Sequence, residues 1–178
     1  MEDIEERSIN NKHILYFFIY SFLGWILETL YSYIALGHFE NRGFLIGPMC
    51  PIYGFGMLIL TVGLEKYKGH NAKLFFVSAF VLTYFEYLAG FALDVVFGLK
   101  WWDYTYDFLN INGRICLFFT FAWGVIALLV VNHIHPFTEK IVDKALNKIT
   151  PVMLDILVKV FVMVLIIDFL LSSIAYMH

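Results

Sequence analysis

The stretch LFFVSAFVLTYFEYLAGFALDVVFGL, Leu74–Leu99, is apolar throughout, has no Lys or Arg, and carries two acids, Glu86 and Asp94. A bilayer's hydrocarbon core is about 30 Å thick and an α-helix rises about 1.5 Å per residue, so about 20 mostly apolar residues cross it. Leu74–Leu99 meets that requirement. So do Ile14–Leu36, Phe44–Leu64, Ile115–Ile134 and Val152–Met177. Ten-residue alternating strands are missing, which argues against a β-barrel. The expected fold is all-α: a polytopic membrane bundle of about five transmembrane helices. A single transmembrane domain, residues 14–178, follows an N-terminal tail, residues 1–13.

Composition agrees. Of 178 residues, 61% are hydrophobic and 15% are charged, with mean hydropathy +0.75. Disorder requires the opposite balance. A net charge of −3 without a basic run disfavours a nucleic-acid binder. The two cysteines, Cys50 and Cys116, form no CxxC motif and cannot make a disulfide framework. Both fall near the expected outer surface, so a single bond between them is conceivable. The acidic start Met1–Glu6 is not the basic n-region of a cleaved signal peptide. No GxxxxGK[ST], HExxH or GxSxG occurs, so any ATP-derived energy must come from another subunit.

Lys and Arg orient the chain. Arg7, Lys12, Lys66, Lys68, Lys73, Lys140, Lys144 and Lys148 fall on one side, and Arg42, Lys100 and Arg114 on the other. The positive-inside rule then puts the N-terminus in the cytoplasm and the C-terminus outside. In the fourth connection, Phe137, Ile141, Ala145 and Ile149 recur every four residues, with Lys140, Asp143, Lys144 and Lys148 on other faces. That pattern predicts one cytoplasmic amphipathic helix, lying in the headgroup zone or docking a partner. Asp155 and Lys159 form an (i, i+4) pair just inside the last span.

Charges inside a membrane cost about 2.5–3.5 kcal/mol each on insertion scales. The acids Glu28, Glu86, Asp94 and Asp168 therefore call for partners. Glu86 is near mid-span, Glu28 and Asp168 roughly 5 Å outward of centre, and Asp94 about 11 Å outward. Glu28 shares a helix face with Ser21, Gly24, Trp25 and Ser32; Glu86 shares one with Ala79, Thr83 and Gly90. Small and polar stripes of this kind face other helices or water. The outer connections supply Glu40-Asn41-Arg42-Gly43, Trp101-Trp102-Asp103-Tyr104 and Asn112-Gly113-Arg114. Arg42 and Arg114 are suited to neutralise the acids or hold an anionic group, and Trp101 and Trp102 suit an interfacial aromatic belt. The second span carries Pro48 and Pro51 with Gly43, Gly47, Gly54 and Gly56, which predicts a broken helix. Its freed carbonyls and amides offer ligand contacts, or the segment is a packed kink. Candidate substrate-binding residues are Glu28, Arg42, Glu86, Asp94, Asp103, Arg114, Trp25, Asn41, Tyr53 and Asn112. His133 and His135 diverge on a helix, so no metal site and no cofactor is expected.

Phe22-Leu23-Gly24-Trp25 with Glu28, then Asn41–Leu45, Gly47-Pro48 and Pro51–Gly54, resembles the type IV ABC-transporter permease family of bacterial membrane proteins. Trp102–Tyr104, Asn112–Leu117 and Trp123-Gly124 are similar to that family's second block. The likeness covers roughly residues 14–135 and implies an ABC-associated transport subunit in the cell membrane, with a separate ATPase. The small size calls for a homodimer or a second membrane subunit. Two other functions stay open: an intramembrane enzyme acting on a lipid or lipid-linked headgroup, for which no nucleophile–base pair can be named, and a non-catalytic assembly or regulatory factor. The lipid bilayer is the expected partner in all three, and nucleic acid in none.

Overall fold

The computed structural model describes residues 2–40 and 42–177, with side chains from residue 9 onward. Six α-helices follow in order: α1 Glu2–Leu36, α2 Pro51–Leu58, α3 Asn71–Phe97, α4 Leu117–Leu129, α5 His135–Leu146 and α6 Pro151–Met177. Among the described residues there is no strand, so the fold is all-α as expected. The chain forms two compact units: Met1–Met57 with Val142–His178, and Leu58–Ile141.

Helix ends follow local chemistry. Gly37 (φ 75°) and Gly98 (φ 66°) close α1 and α3 in the left-handed conformation, each amide returning to the carbonyl four residues back. Thr150 Oγ accepts the Met153 amide at 3.2 Å, with Pro151 opening α6. Pro136 lacks an amide, and the preceding turn Val130–Ile134 widens to a π-helix that joins α4 to α5.

Among the described residues three helical runs are long and apolar enough to cross a bilayer: Ile9–Leu36, Asn71–Phe97 and Leu117–Leu146. The last of these contains the amphipathic segment, which continues from α4 and is not set apart from it. Helix α6 has 27 residues, with Asp168 as the one charge between Val160 and Met177. The second apolar helix is shorter, Pro51–Gly63, with a π-turn at Ile59–Gly63. Residues 44–50 before it are irregular, so the second helix is broken.

In both units small polar side chains share the apolar interior, and large apolar side chains face outward. Ser21, Ser78 and Ser172 are 0% exposed, while Ile34 is 82%, Phe80 73% and Phe76 71% exposed. In water this would be costly; against lipid it is the expected arrangement. In the first unit, rings of Phe17 and Phe55 meet at 4.9 Å and of Phe18 and Phe161 at 5.3 Å. A Cβ on Gly54 would strike Phe17 and Ser21, and one on Gly24 would strike the Tyr53 ring, so small residues set how closely α1 and α2 approach. In the second unit, α3 and α4 join through Phe75 and Phe121 (5.1 Å), the Phe75 ring on Gly124, and a Thr83–Thr120 hydroxyl bond of 3.1 Å.

Candidate functional site

Each unit has its own polar cluster. In the first, Glu28 is on α1 and Arg42 on the irregular segment that follows. Tyr53 Oη donates to Glu28 Oε1 at 2.5 Å, and Arg42 Nε lies 3.9 Å from Glu28 Oε2. Arg42 also bonds Glu40 Oε2 at 3.1 Å. The side chains of Arg42 and Glu28 are each about one-third exposed, so this guanidinium serves two acids at a partly open surface. Trp25 stacks on Phe22 at 6.0 Å, one turn away from Glu28. Asn41 lies outside the described residues.

Asp168 of α6 is in the same unit and is engaged differently. Its carboxylate accepts the Ile46 amide at 3.1 Å, the Gly47 amide at 3.0 Å and the Ser172 hydroxyl at 3.1 Å. A Cβ on Gly47 would collide with Asp168 Oδ2, so glycine admits the carboxylate to the backbone. The amides that the sequence offered as ligand donors are therefore occupied at these two positions by an acid of the same chain.

The second cluster is built on α3 and the connection before α4. Glu86 is 5% exposed, in the interior of the helix. Tyr104 Oη donates to its Oε1 at 3.1 Å, and Trp123 Nε1 of α4 to its Oε2 at 2.9 Å. No Lys, Arg or His lies within ion-pair distance of Glu86 among the described residues. Bonds of this kind to a charged group contribute about 1.5–3 kcal/mol each, comparable with the insertion cost of the acid.

Two turns further along α3, Arg114 pairs with Asp94. The guanidinium lies 5.7 Å from the Tyr87 ring centroid and 5.5 Å from that of Phe91, within cation–π range. Its carbonyl accepts the Trp102 indole N–H at 2.9 Å, and the Trp102 ring packs against Gly90. The Nε–H of Arg114 is buried and has no hydrogen-bond acceptor. Asn112, at φ 54°, donates to Tyr87 Oη at 3.0 Å.

The connection is shaped from within. The Tyr104 amide donates to Gly113 O at 2.8 Å, and Ile111 and Ile115 form an isolated bridge. Asp103 caps the Thr105 amide at 3.0 Å and its hydroxyl, and lies 3.8 Å from Lys100 Nζ. The Thr105 bonds hold the Asp103 carboxyl below its ordinary pKa. Asp103 thus serves the turn, and Tyr104 beside it reaches the membrane acid.

The family described as "Putative ABC-transporter type IV" matches residues 15–173. The chain belongs to that family. No curated protein and no solved structure matches it. Membership in this ABC-transporter family, together with the apolar helices, indicates a membrane protein with a transport-related role. Among the described residues of this family member, no three His, Cys, Asp or Glu side chains gather to hold a metal ion. Cys50 and Cys116 are buried free thiols.

The sequence offered Arg42 and Arg114 as counter-charges without naming their acids; the contacts are Arg42 with Glu28 and Arg114 with Asp94. Tyr104 and Trp123 were missed as partners of Glu86, as was the amide-capping role of Asp168. One signal was available for Trp123: an indole inside an apolar helix needs an acceptor for its N–H.

Proposed function

We propose that the chain is the membrane subunit of an ABC-type transport system. It crosses the cell membrane several times with its N-terminus in the cytoplasm, and it works with a separate ATPase as a homodimer or beside a second membrane subunit. We further propose that Glu86, Tyr104 and Trp123 form its substrate-contact centre, with Asp94, Arg114 and Asn112 as its outer rim. A second polar cluster in the other unit, Glu28, Arg42 and Tyr53, contributes contacts of its own. The observation that carries this reading is Glu86. It is a buried acid in an apolar helix, held by neutral donors from a loop and a neighbouring helix. A carboxylate held this way can exchange one donor for a ligand without leaving a bare cation behind. The orphan Nε–H of Arg114 supports the same reading, since it is a buried donor with no acceptor among the described residues.

The test is to purify the tagged full-length protein from its native membranes and measure co-purifying ATP hydrolysis. The expected result is an ATPase subunit in the complex, and a Glu86→Gln variant that assembles normally but turns over ATP far more slowly. If no ATPase co-purifies and deletion instead alters the lipid profile, the intramembrane-enzyme reading replaces this one. If neither happens and the variant fails to accumulate, the cluster is an assembly device.

A further inference from the structure

The connection into α3, within the second unit, brings two lysines to one aromatic ring and carries a third next to that ring in the chain. Lys66 Nζ lies 5.3 Å from the Tyr67 ring centroid and Lys73 Nζ 4.9 Å from it. The ring is held by a short 3-10 turn, Glu65–Tyr67, in which the Tyr67 amide donates to Leu64 O at 3.0 Å and the His70 amide to Tyr67 O at 2.9 Å. Lys68 follows directly, and all three lysines are exposed. Among the described residues none of the three has a carboxylate within ion-pair distance, and Glu65, the one acid of residues 64–73, pairs with none of them.

Two ammoniums 5.3 and 4.9 Å from one ring centroid repel each other, and salt at physiological strength screens charges only over about 8 Å and beyond. An anion seated between them turns repulsion into attraction. The segment is flanked by apolar helix on both sides, with Val62 54% and Phe76 71% exposed, which puts the ammoniums at headgroup level. We propose that Lys66 and Lys73 over the Tyr67 ring, with the exposed Lys68 that follows Tyr67, bind the phosphate diesters of anionic phospholipid. The inner-leaflet placement of this patch rests on the membrane orientation proposed above. A diester suits the site because its two free oxygens accept from two ammoniums at once while its glycerol and acyl chains lie along the exposed apolar flanks.

The test places full-length protein in nanodiscs of phosphatidylglycerol or of phosphatidylcholine and measures lysine acetylation by mass spectrometry. Lys66, Lys68 and Lys73 are expected to react several-fold more slowly in phosphatidylglycerol. In mixed micelles of the two lipids, the wild type should retain phosphatidylglycerol preferentially. The triple variant Lys66→Gln, Lys68→Gln, Lys73→Gln should lose that preference, by about fivefold per lysine removed. Tyr67→Leu keeps every charge but unties the ammoniums, and an intermediate preference is expected. Equal reactivity in the two lipids, or undiminished preference in the triple variant, overturns the proposal. So does equal protection by inorganic phosphate in phosphatidylcholine discs. Protection seen only in native membranes, and lost when peripheral proteins are stripped, assigns the patch to a protein partner and overturns it too. Labelling by an impermeant reagent on intact cells refutes the orientation alone, because the nanodisc measurement reads lipid contact from either side.

Discussion

Asp168 and Glu86 are both carboxylates inside long apolar helices, one in each unit, and they are used in opposite ways. Asp168 takes two backbone amides and a hydroxyl from its own unit. It repairs a broken helix whose donors would otherwise be unsatisfied in lipid. Glu86 takes two side-chain donors, one from a loop and one from α4, in a helix that needs no repair. The difference suggests a rule for intramembrane acids: an acid that bonds backbone amides secures the fold, while an acid bonded by replaceable side chains is available for work.

The comparison can be broken most sharply at Glu86. Glu86→Gln should leave folded, membrane-inserted protein and reduce complex ATP turnover by roughly ten- to hundredfold, the worth of a hydrogen bond to a charged group. Loss of folded protein in that variant would erase the distinction. Asp168→Ala should behave in the reverse manner. It strands the Gly47 amide and leaves the Ile46 amide to the Ser172 hydroxyl, 3.0 Å away, and should destabilise the first unit by about 1–3 kcal/mol, read as a lower unfolding midpoint in detergent.

Much of this was legible in the sequence, for identifiable reasons. Apolar runs longer than a bilayer's thickness announced the helices, and Pro48 and Pro51 announced the break. Arg42 and Arg114 in the outer connections announced counter-charges for membrane acids, but not which acid each would meet. What the sequence concealed was which neutral groups meet which acid. Tyr104 is 18 residues from Glu86 along the chain and Trp123 is 37, and their approach depends on how the Gly98–Cys116 connection folds back. Asp168 looked like a further member of the polar centre because nothing in its own helix reveals that it faces backbone and not side chains.

Smaller effects sharpen the contrast further. Trp123→Phe keeps an aromatic ring but removes one donor from Glu86; it should lower stability by about 1.5–3 kcal/mol, read by thermal unfolding. Arg42→Ala should change stability by less than about 1 kcal/mol, since both its ion pairs are partly exposed. A loss of activity at unchanged unfolding midpoint would mark Arg42 as a contact residue. The smallest effect concerns Asp103, whose carboxyl is held low by Thr105. A lowered folded pKa contributes stability above the ordinary carboxylate value, about 3.9, and that contribution is lost as pH falls through the lowered value. Amide exchange in residues 103–105 should therefore be flat from neutral pH to about pH 5, once the intrinsic pH dependence is removed. Protection should fall only in stronger acid, and in Asp103→Asn it should already be reduced at neutral pH.

The second apolar helix has eight α-helical residues followed by five in a π-turn, and at about 1.5 Å per residue it reaches roughly 20 Å. A bilayer's hydrocarbon layer is about 30 Å, and mismatch costs fractions of a kcal/mol per ångström. Residues 44–50, held against Phe169, Asp168 and Ser172 of α6, make up the distance. A thicker bilayer should therefore strain this irregular half of the span first, read as faster amide exchange at residues 46 and 47 when acyl chains lengthen.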